Sequence, residues 1–234
     1  MTNLAESYSE ETQEKNNLSR VEWVYRTLKR SILSNEFYPG YQALEPELAK
    51  HLGVSRTPVR EALIRLENER LIELIPRRGM RVIPLVPSDM REIYQVLTSL
   101  EISAIESLAK RGLDSTSDAL LERDIEAMSQ ALNLDDLEAW AEAEERFHQH
   151  LVRQSGNTRL ASIVGSLRDQ CRRARSVTLK LRDKPTHSVA QCRELLNLIR
   201  QGNAEAATQK HRENRTRMST DLVRILEEFK LPHL

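Results

Sequence analysis

Glycine (7 of 234 residues), proline (8), cysteine (2) and aromatic side chains (4%) are all scarce in this sequence. Few glycines and prolines leave little supply of the tight turns that sheet-rich sandwiches need, or of the glycine loops that cradle nucleotide phosphates. The two cysteines, Cys171 and Cys192, fall inside helical patterns, so they form no disulfide framework. No apolar run approaches the ~20 residues that span a bilayer, and the first residues lack the charged-then-apolar layout of a signal peptide. The expectation is a cytoplasmic chain with reduced thiols and no membrane partner.

What is present points to helices. Hydrophobic residues make up 39% of the chain, enough for one large or two small domains, each with its own core. Leu, Glu, Arg and Ala dominate, and these are helix formers. Charge is balanced overall, 35 Lys+Arg against 35 Asp+Glu, yet residues 21–85 hold eleven basic and eight acidic side chains. A small basic module on a near-neutral body is a modest signal of contact with a polyanion.

Residues 1–19 are polar and acidic with no apolar period, and are expected to form a flexible N-terminal arm. Apolar residues then recur at three-and-four spacing from Val21 to Leu33, which predicts a helix over 20–34. A short helix over 45–52 stops at Gly53. A third starts at Ser55 or Thr57, carries Pro58 in its first turn and runs to Asn68. Two strand-like runs, 71–75 and 80–85, flank the turn Pro76-Arg77-Arg78-Gly79 and read as a hairpin. From Ser88 onward every segment is helical, over about 88–111, 116–132, 135–154, 157–181, 187–200 and 203–229, with short connections that imply an antiparallel bundle. The domains are thus 1–19 (arm), 20–85 and 86–234.

Arg56 and Arg60 lie four apart, opposite the inward stripe Val59-Leu63-Leu66. The start of this third helix therefore presents two guanidiniums with the hydroxyls of Ser55 and Thr57. That surface suits phosphates and guanine edges in a major groove, while Arg77 and Arg78 at the hairpin tip suit a minor groove. Two arginines alone read first as a solvated helix face, and the wider pattern reverses that. The wider pattern, Leu44-x3-Leu48-Ala49-x2-Leu52-Gly53-Val54-Ser55-Arg56-Thr57-Pro58-Val59-Arg60-Glu61-Ala62-Leu63, resembles the GntR family of bacterial transcription regulators across residues 21–85. The resemblance implies a winged helix-turn-helix in which Arg56, Thr57 and Arg60 contact operator DNA and Arg78 and Gly79 sit at the wing tip. Pro46 stands where relatives often carry arginine, which removes one phosphate contact and puts the start of the second helix in question.

In the second half, the helix over 135–154 places Glu144 and His148 on its apolar face. Cys192 lies on the inward stripe of the helix over 187–200, and His211, Asn214, Met218, Leu222, Ile225 and Phe229 on that of the last helix. Three helices so arranged build a ligand or metal cavity, or else a satisfied buried polar cluster. The motifs Glu144-x2-Phe147-His148-x2-Leu151 and Ser155-Gly156-Asn157-x2-Leu160, with the Gly202-Asn203 turn, resemble the FCD ligand-binding domain of FadR-like GntR regulators. In many relatives an Asp and three His hold a divalent metal that helps bind a carboxylate effector. The matching positions here are Glu144, His148, Cys192 and Asn214, so three of four differ. Glu144, His148 and Cys192, with Asn214 or His211, form the candidate set for a metal such as zinc. Leu97 replaces an arginine that relatives direct at the effector, which implies a less acidic ligand or other gripping groups. Arg146, Arg172, Arg173 and Arg175 read equally as surface charges or as ligand contacts.

The expected protein is mostly α: a winged helix-turn-helix followed by an FCD-like bundle. It is expected to act as a homodimeric repressor, not an enzyme, on an inverted-repeat operator in double-stranded DNA. A small-molecule effector, such as a metabolic carboxylate, modulates it. The alternatives are a DNA-binding dimer without effector and a helical metal-dependent hydrolase using Glu144, His148 and Cys192.

Overall fold

The computed structural model describes residues 18–229. The expected N-terminal arm lies outside them up to residue 17, whereas Ser19 already caps the first helix. The chain divides into two compact units between Pro84 and Leu85.

In the first unit, the Ser19 side chain accepts the Glu22 N–H at 3.2 Å and starts α1 (Arg20–Leu33). A two-residue strand, β1 (Gln42–Ala43), precedes α2 (Glu45–Leu52). Gly53 ends α2 in the left-handed conformation (φ 62°), which costs a residue without Cβ little. Pro46 falls in the first turn of α2, where its missing N–H is harmless. The Glu47 carboxylate accepts the Leu44 N–H at 2.9 Å, so the helix starts cleanly. Next come α3 (Arg56–Asn68), β2 (Ile72–Ile75) and β3 (Gly79–Val82). The core of this unit gathers Leu28, Ile32, Leu63, Leu66, Met80 and Val82.

The expected hairpin is present, with Leu74 opposite Met80, but it belongs to a three-stranded antiparallel sheet in the order β1-β3-β2. A two-residue strand has no alternation to read, so β1 was not expected. It also changes the role of Gly79. Rather than marking the wing tip, Gly79 opens β3 at φ 80°, and a Cβ there would stand 2.2 Å from the Ala43 carbonyl oxygen. The residue is glycine because β1 closes against it. The turn itself is Pro76-Arg77-Arg78, with Arg77 in the left-handed region.

The second unit contains α4 (Pro87–Arg111), α5 (Ser115–Asn133), α6 (Leu137–Gln154), α7 (Thr158–Thr178), α8 (Ser188–Arg200) and α9 (Ala204–Glu228). Asp114, Asp136, Asn157 and Asn203 cap α5, α6, α7 and α9, each accepting a first-turn N–H at 2.7–3.1 Å. The helix expected over 157–181 tightens into a 3₁₀ turn at Leu179–Leu181, where the Thr178 hydroxyl bonds back to the Ala174 carbonyl at 2.8 Å. α4 packs along α9 and α5 along α6. One core centres on Tyr94, Leu97, Val164 and Leu222, and the other on Ile125, Phe147, Leu151 and Leu196. Phe229, expected on the inward stripe, lies past the end of α9 and is 52% exposed. No helix among the described residues is long and apolar enough to cross a membrane.

Candidate functional sites

The first site is built by α3. Ser55, extended at φ −72° and ψ 168°, holds the N-cap position but makes no side-chain capping bond, so its hydroxyl is left for an outside partner. No acidic residue occupies the first turn, which leaves the positive end of the helix dipole unopposed. Ser55, Arg56, Thr57 and Arg60 are all exposed, while Val59, Ala62, Leu63 and Leu66 on the opposite face are fully buried.

Cations elsewhere in this unit are of both kinds: Arg20, Lys50 and Arg70 are exposed without a pair among the described residues, and others are engaged. Arg65 pairs with Glu22 at 2.8 Å and covers the Tyr25 ring, Lys29 pairs with Glu69 at 2.7 Å, and Arg81 pairs with Glu73. Arg56, Arg60, Arg77 and Arg78 make no side-chain hydrogen bond or ion pair to any described residue. Four unengaged guanidiniums, two on a helix tip and two on an exposed turn, form a surface ready for phosphates and base edges.

The second site is a cavity of about 290 Å³ between α6, the end of α7, α8 and α9. Glu144, His148, Cys192, His211 and Asn214 all line it, as expected. Leu97 does not: it is packed in the α4 core, 2% exposed.

Behind this cavity lies a charge network that the sequence reading missed. Glu101 of α4, 1% exposed, receives Arg215 through Nε at 2.7 Å and Nη2 at 2.8 Å. It also takes Arg168 Nη1 at 2.6 Å and His211 Nε2 at 2.9 Å. Glu145 receives Arg168 Nε at 2.7 Å and Arg175 Nη1 at 3.2 Å, and Arg175 Nη2 reaches Glu144. Thus Arg173 and Arg175, read as surface charges or ligand contacts, are buried or nearly so, while Arg146 and Arg172 are at the surface. One signal was available: Glu101 shares the apolar face of α4 with Leu97, Ala104 and Leu108, and an acid there requires a cation.

Burial alone would raise the Glu101 carboxyl, but Arg215, His211 and Arg168 outweigh it and hold the group well below its ordinary 4.5. Burial, helped by Arg215 and Arg168, pushes His148 well below 6.5, and burial likewise lowers His211, so both rings are neutral near pH 7. Burial drives the Cys192 thiol up to about 12.

These residues do not fit a metal ion. A metal needs thiolate, carboxylate or imidazole lone pairs facing one point. Here Glu144 is occupied by Arg175 and by His148 at 3.3 Å, and His211 is turned to Glu101. Among the described residues, no three His, Cys, Asp or Glu are grouped to hold an ion. A protonated Cys192 is unsuited to act as a nucleophile.

Residues 20–82 match the profile described as bacterial regulatory proteins, gntR family, and residues 92–214 match the FCD domain. The chain is 42% identical over 135 residues to an HTH-type transcriptional regulator in the TAR-I ttuE-ttuC' intergenic region of Agrobacterium vitis, covering 57% of this chain and 79% of that one. It is 31% identical over 206 residues to an HTH-type transcriptional regulator in an unstable DNA locus of Streptomyces ambofaciens, covering 88% and 83%. Among solved structures, McbR/YncC of E. coli shares the fold with a TM-score of 0.76 at 22% identity, covering 88% of this chain and 98% of that one.

Proposed function

Since this chain belongs to the GntR family and joins that DNA-binding module to an FCD effector-binding domain, it is a DNA-binding transcription regulator and not an enzyme; we propose that it is a dimeric repressor. In this reading two copies place their α3 helices on the half-sites of an inverted repeat, because the symmetry of a dimer and of its operator go together. Arg56, Thr57 and Arg60 reach base edges and phosphates in the major groove, Ser55 supplies a further hydroxyl, and Arg78 follows the backbone or the minor groove. Gly79 contributes by shaping the wing, not by touching DNA.

The observation that carries this reading is the α3 tip: exposed guanidiniums without partners among the described residues, above a fully buried opposite face. The effector occupies the cavity of the helical unit. It shifts operator affinity only to the extent that it binds the operator-competent and released arrangements differently.

Selection from a randomised duplex pool, followed by titration of the enriched duplex, tests the reading. An inverted repeat should emerge, and Arg60→Ala should weaken binding by about 1–3 kcal/mol, or roughly 5- to 150-fold. Enrichment of no sequence, or unchanged affinity of the variant, would remove α3 from the interface.

A further inference from the structure

The two ends of α3 are mounted differently. Its tip carries unengaged arginines, whereas its rear holds three charged side chains, two of which reach α1 and one of which reaches the wing. Arg65 pairs with Glu22 and covers the Tyr25 ring. Glu69, at the end of the helix, takes the Tyr25 hydroxyl at 2.5 Å and Lys29 Nζ at 2.7 Å. Glu67 forms no ion pair with any described residue; instead the backbone N–H of Leu74, in β2, donates to its Oε1 at 2.8 Å.

A carboxylate without a cation is unfavourable at this place on two counts. It lies in the last turn of α3, where the carbonyl end of the helix dipole repels negative charge. It also adds an anion to a module that meets phosphates. What offsets both terms is the bond it makes.

β2 is an edge of the sheet, so on its outer side the Leu74 N–H meets no neighbouring strand, and Glu67 supplies the acceptor. The corner between α3 and β2 is closed by the Leu71 N–H on the Leu66 carbonyl at 3.1 Å and the Arg70 N–H on the Glu67 carbonyl at 2.9 Å, with Arg70 left-handed at φ 56°. The Glu67–Leu74 bond spans this corner and fixes the direction in which β2 leaves the helix. Leu74 stands two residues before Pro76, which opens the wing turn, a span of about 7 Å in an extended strand. On the other side of the sheet, β1 closes against Gly79. The wing is thus held along both sides close to its tip.

We propose, resting on the regulator reading above, that Glu67 is a positioning residue for DNA binding. By holding the Leu74 N–H it sets the wing against α3, so that Arg77 and Arg78 meet the duplex together with Arg56 and Arg60. Two contact sets on one rigid frame make the second contact intramolecular, and a loosened frame forfeits that gain. Glu67 itself touches no DNA; its removal acts through the wing and leaves the α3 tip in place.

The test is titration of the selected duplex with the full chain at stepped salt. The variants are Glu67→Ala, Glu67→Gln, Arg60→Ala and a wing pair, Arg77→Ala with Arg78→Ala, taken singly and combined. Glu67→Ala should weaken binding by about fivefold or more, and the wing pair should then add no more than about twofold, whereas Arg60→Ala should add its full loss. The dependence of affinity on salt should become shallower in Glu67→Ala, as in the wing pair, because phosphate contacts are lost at the wing. Glu67→Gln, whose amide oxygen accepts the same N–H, should bind within about twofold of wild type.

Wild-type affinity of Glu67→Ala overturns the proposal, and tighter binding does so too, since the carboxylate would then only repel phosphate. Full additivity with the wing pair, equal coupling to Arg60→Ala, a Glu67→Gln protein as weak as Glu67→Ala, or a wing pair that changes nothing also overturns it. Should Glu67→Ala lack a cooperative thermal transition, Glu67→Asp, charged but one methylene shorter, takes its place in the cycle with the same expected losses. Failure of the wild-type chain to bind the duplex overturns the regulator reading. Binding that is lost in Arg60→Ala but unchanged in the Glu67 variants overturns the positioning role alone.

Discussion

The two units use arginine in opposite ways. On α3 and the wing, Arg56, Arg60, Arg77 and Arg78 are exposed and unengaged. In the helical unit, Arg168 and Arg215 are 3% and 2% exposed and bound to Glu101, with Arg168 also on Glu145. The same guanidinium is an outward recognition group in one place and an internal tie in the other. What differs is the counter-charge. The first set pairs with no acid among the described residues, so its donors are open to phosphate. The second set was desolvated on folding and is tolerable only because two glutamates, Glu101 and Glu145, were buried with it.

This contrast can be broken most forcefully at Glu101. Glu101→Ala strands the buried Arg215 guanidinium and His211, leaves Arg168 with Glu145 alone, and should cost about 3–5 kcal/mol in chemical denaturation. Arg60→Ala, which removes no side-chain hydrogen bond or ion pair among the described residues, should leave the unfolding midpoint in place while reducing duplex affinity. A mild effect of Glu101→Ala would mean that the network is slack and the two sets of arginines less distinct than their burial indicates.

A smaller effect is expected at the base of the wing. Gly79→Ala forces a Cβ against the Ala43 carbonyl at a positive φ, a backbone strain of about 1–3 kcal/mol before the contact is relieved. Thermal melts should register it, and duplex affinity should fall with the displaced wing. Full stability would show that β1 moves aside freely.

The smallest effect separates the units by pH. His148 and His211 have folded pKa values below the unfolded 6.5, so the folded state binds fewer protons. Their contribution to stability is complete above about pH 6.5 and is lost as pH falls towards the folded values. Glu101 and Glu145, also lowered, lose theirs below about 4.5. Denaturation at stepped pH should show stability declining from pH 6.5 to 5. His148→Gln should reduce that slope by up to about 1.4 kcal/mol per pH unit, the value for one proton. An unaltered slope would place the acid sensitivity elsewhere.

How much of this was legible in the sequence follows from the same contrast. The α3 tip was readable because two arginines four apart oppose an uninterrupted apolar stripe, and periodicity alone separates those faces. The capped helix boundaries were readable for a similar local reason. The cavity residues Glu144, His148, Cys192, His211 and Asn214 were also found, as polar groups on inward faces. The network was not, because an arginine in a helix ordinarily lies at the surface and its partner here sits 67 or 114 residues away. Only Glu101 broke the pattern of its own helix. β1 was invisible for the opposite reason: two residues carry no period, and their pairing is declared only by the missing side chain of Gly79.

The division between Pro84 and Leu85 makes this chain a natural subject for hybrid regulators, in which one parent's reader is spliced to another's sensor. Glu101 sets the rule for such grafts. It belongs to the first helix after the junction, yet its cations come from α7 and α9, so a splice placed beyond α4 would mix parents within one charge cluster. A seam at residue 85 keeps carboxylate and guanidiniums from a single ancestor, and a seam at residue 112 does not.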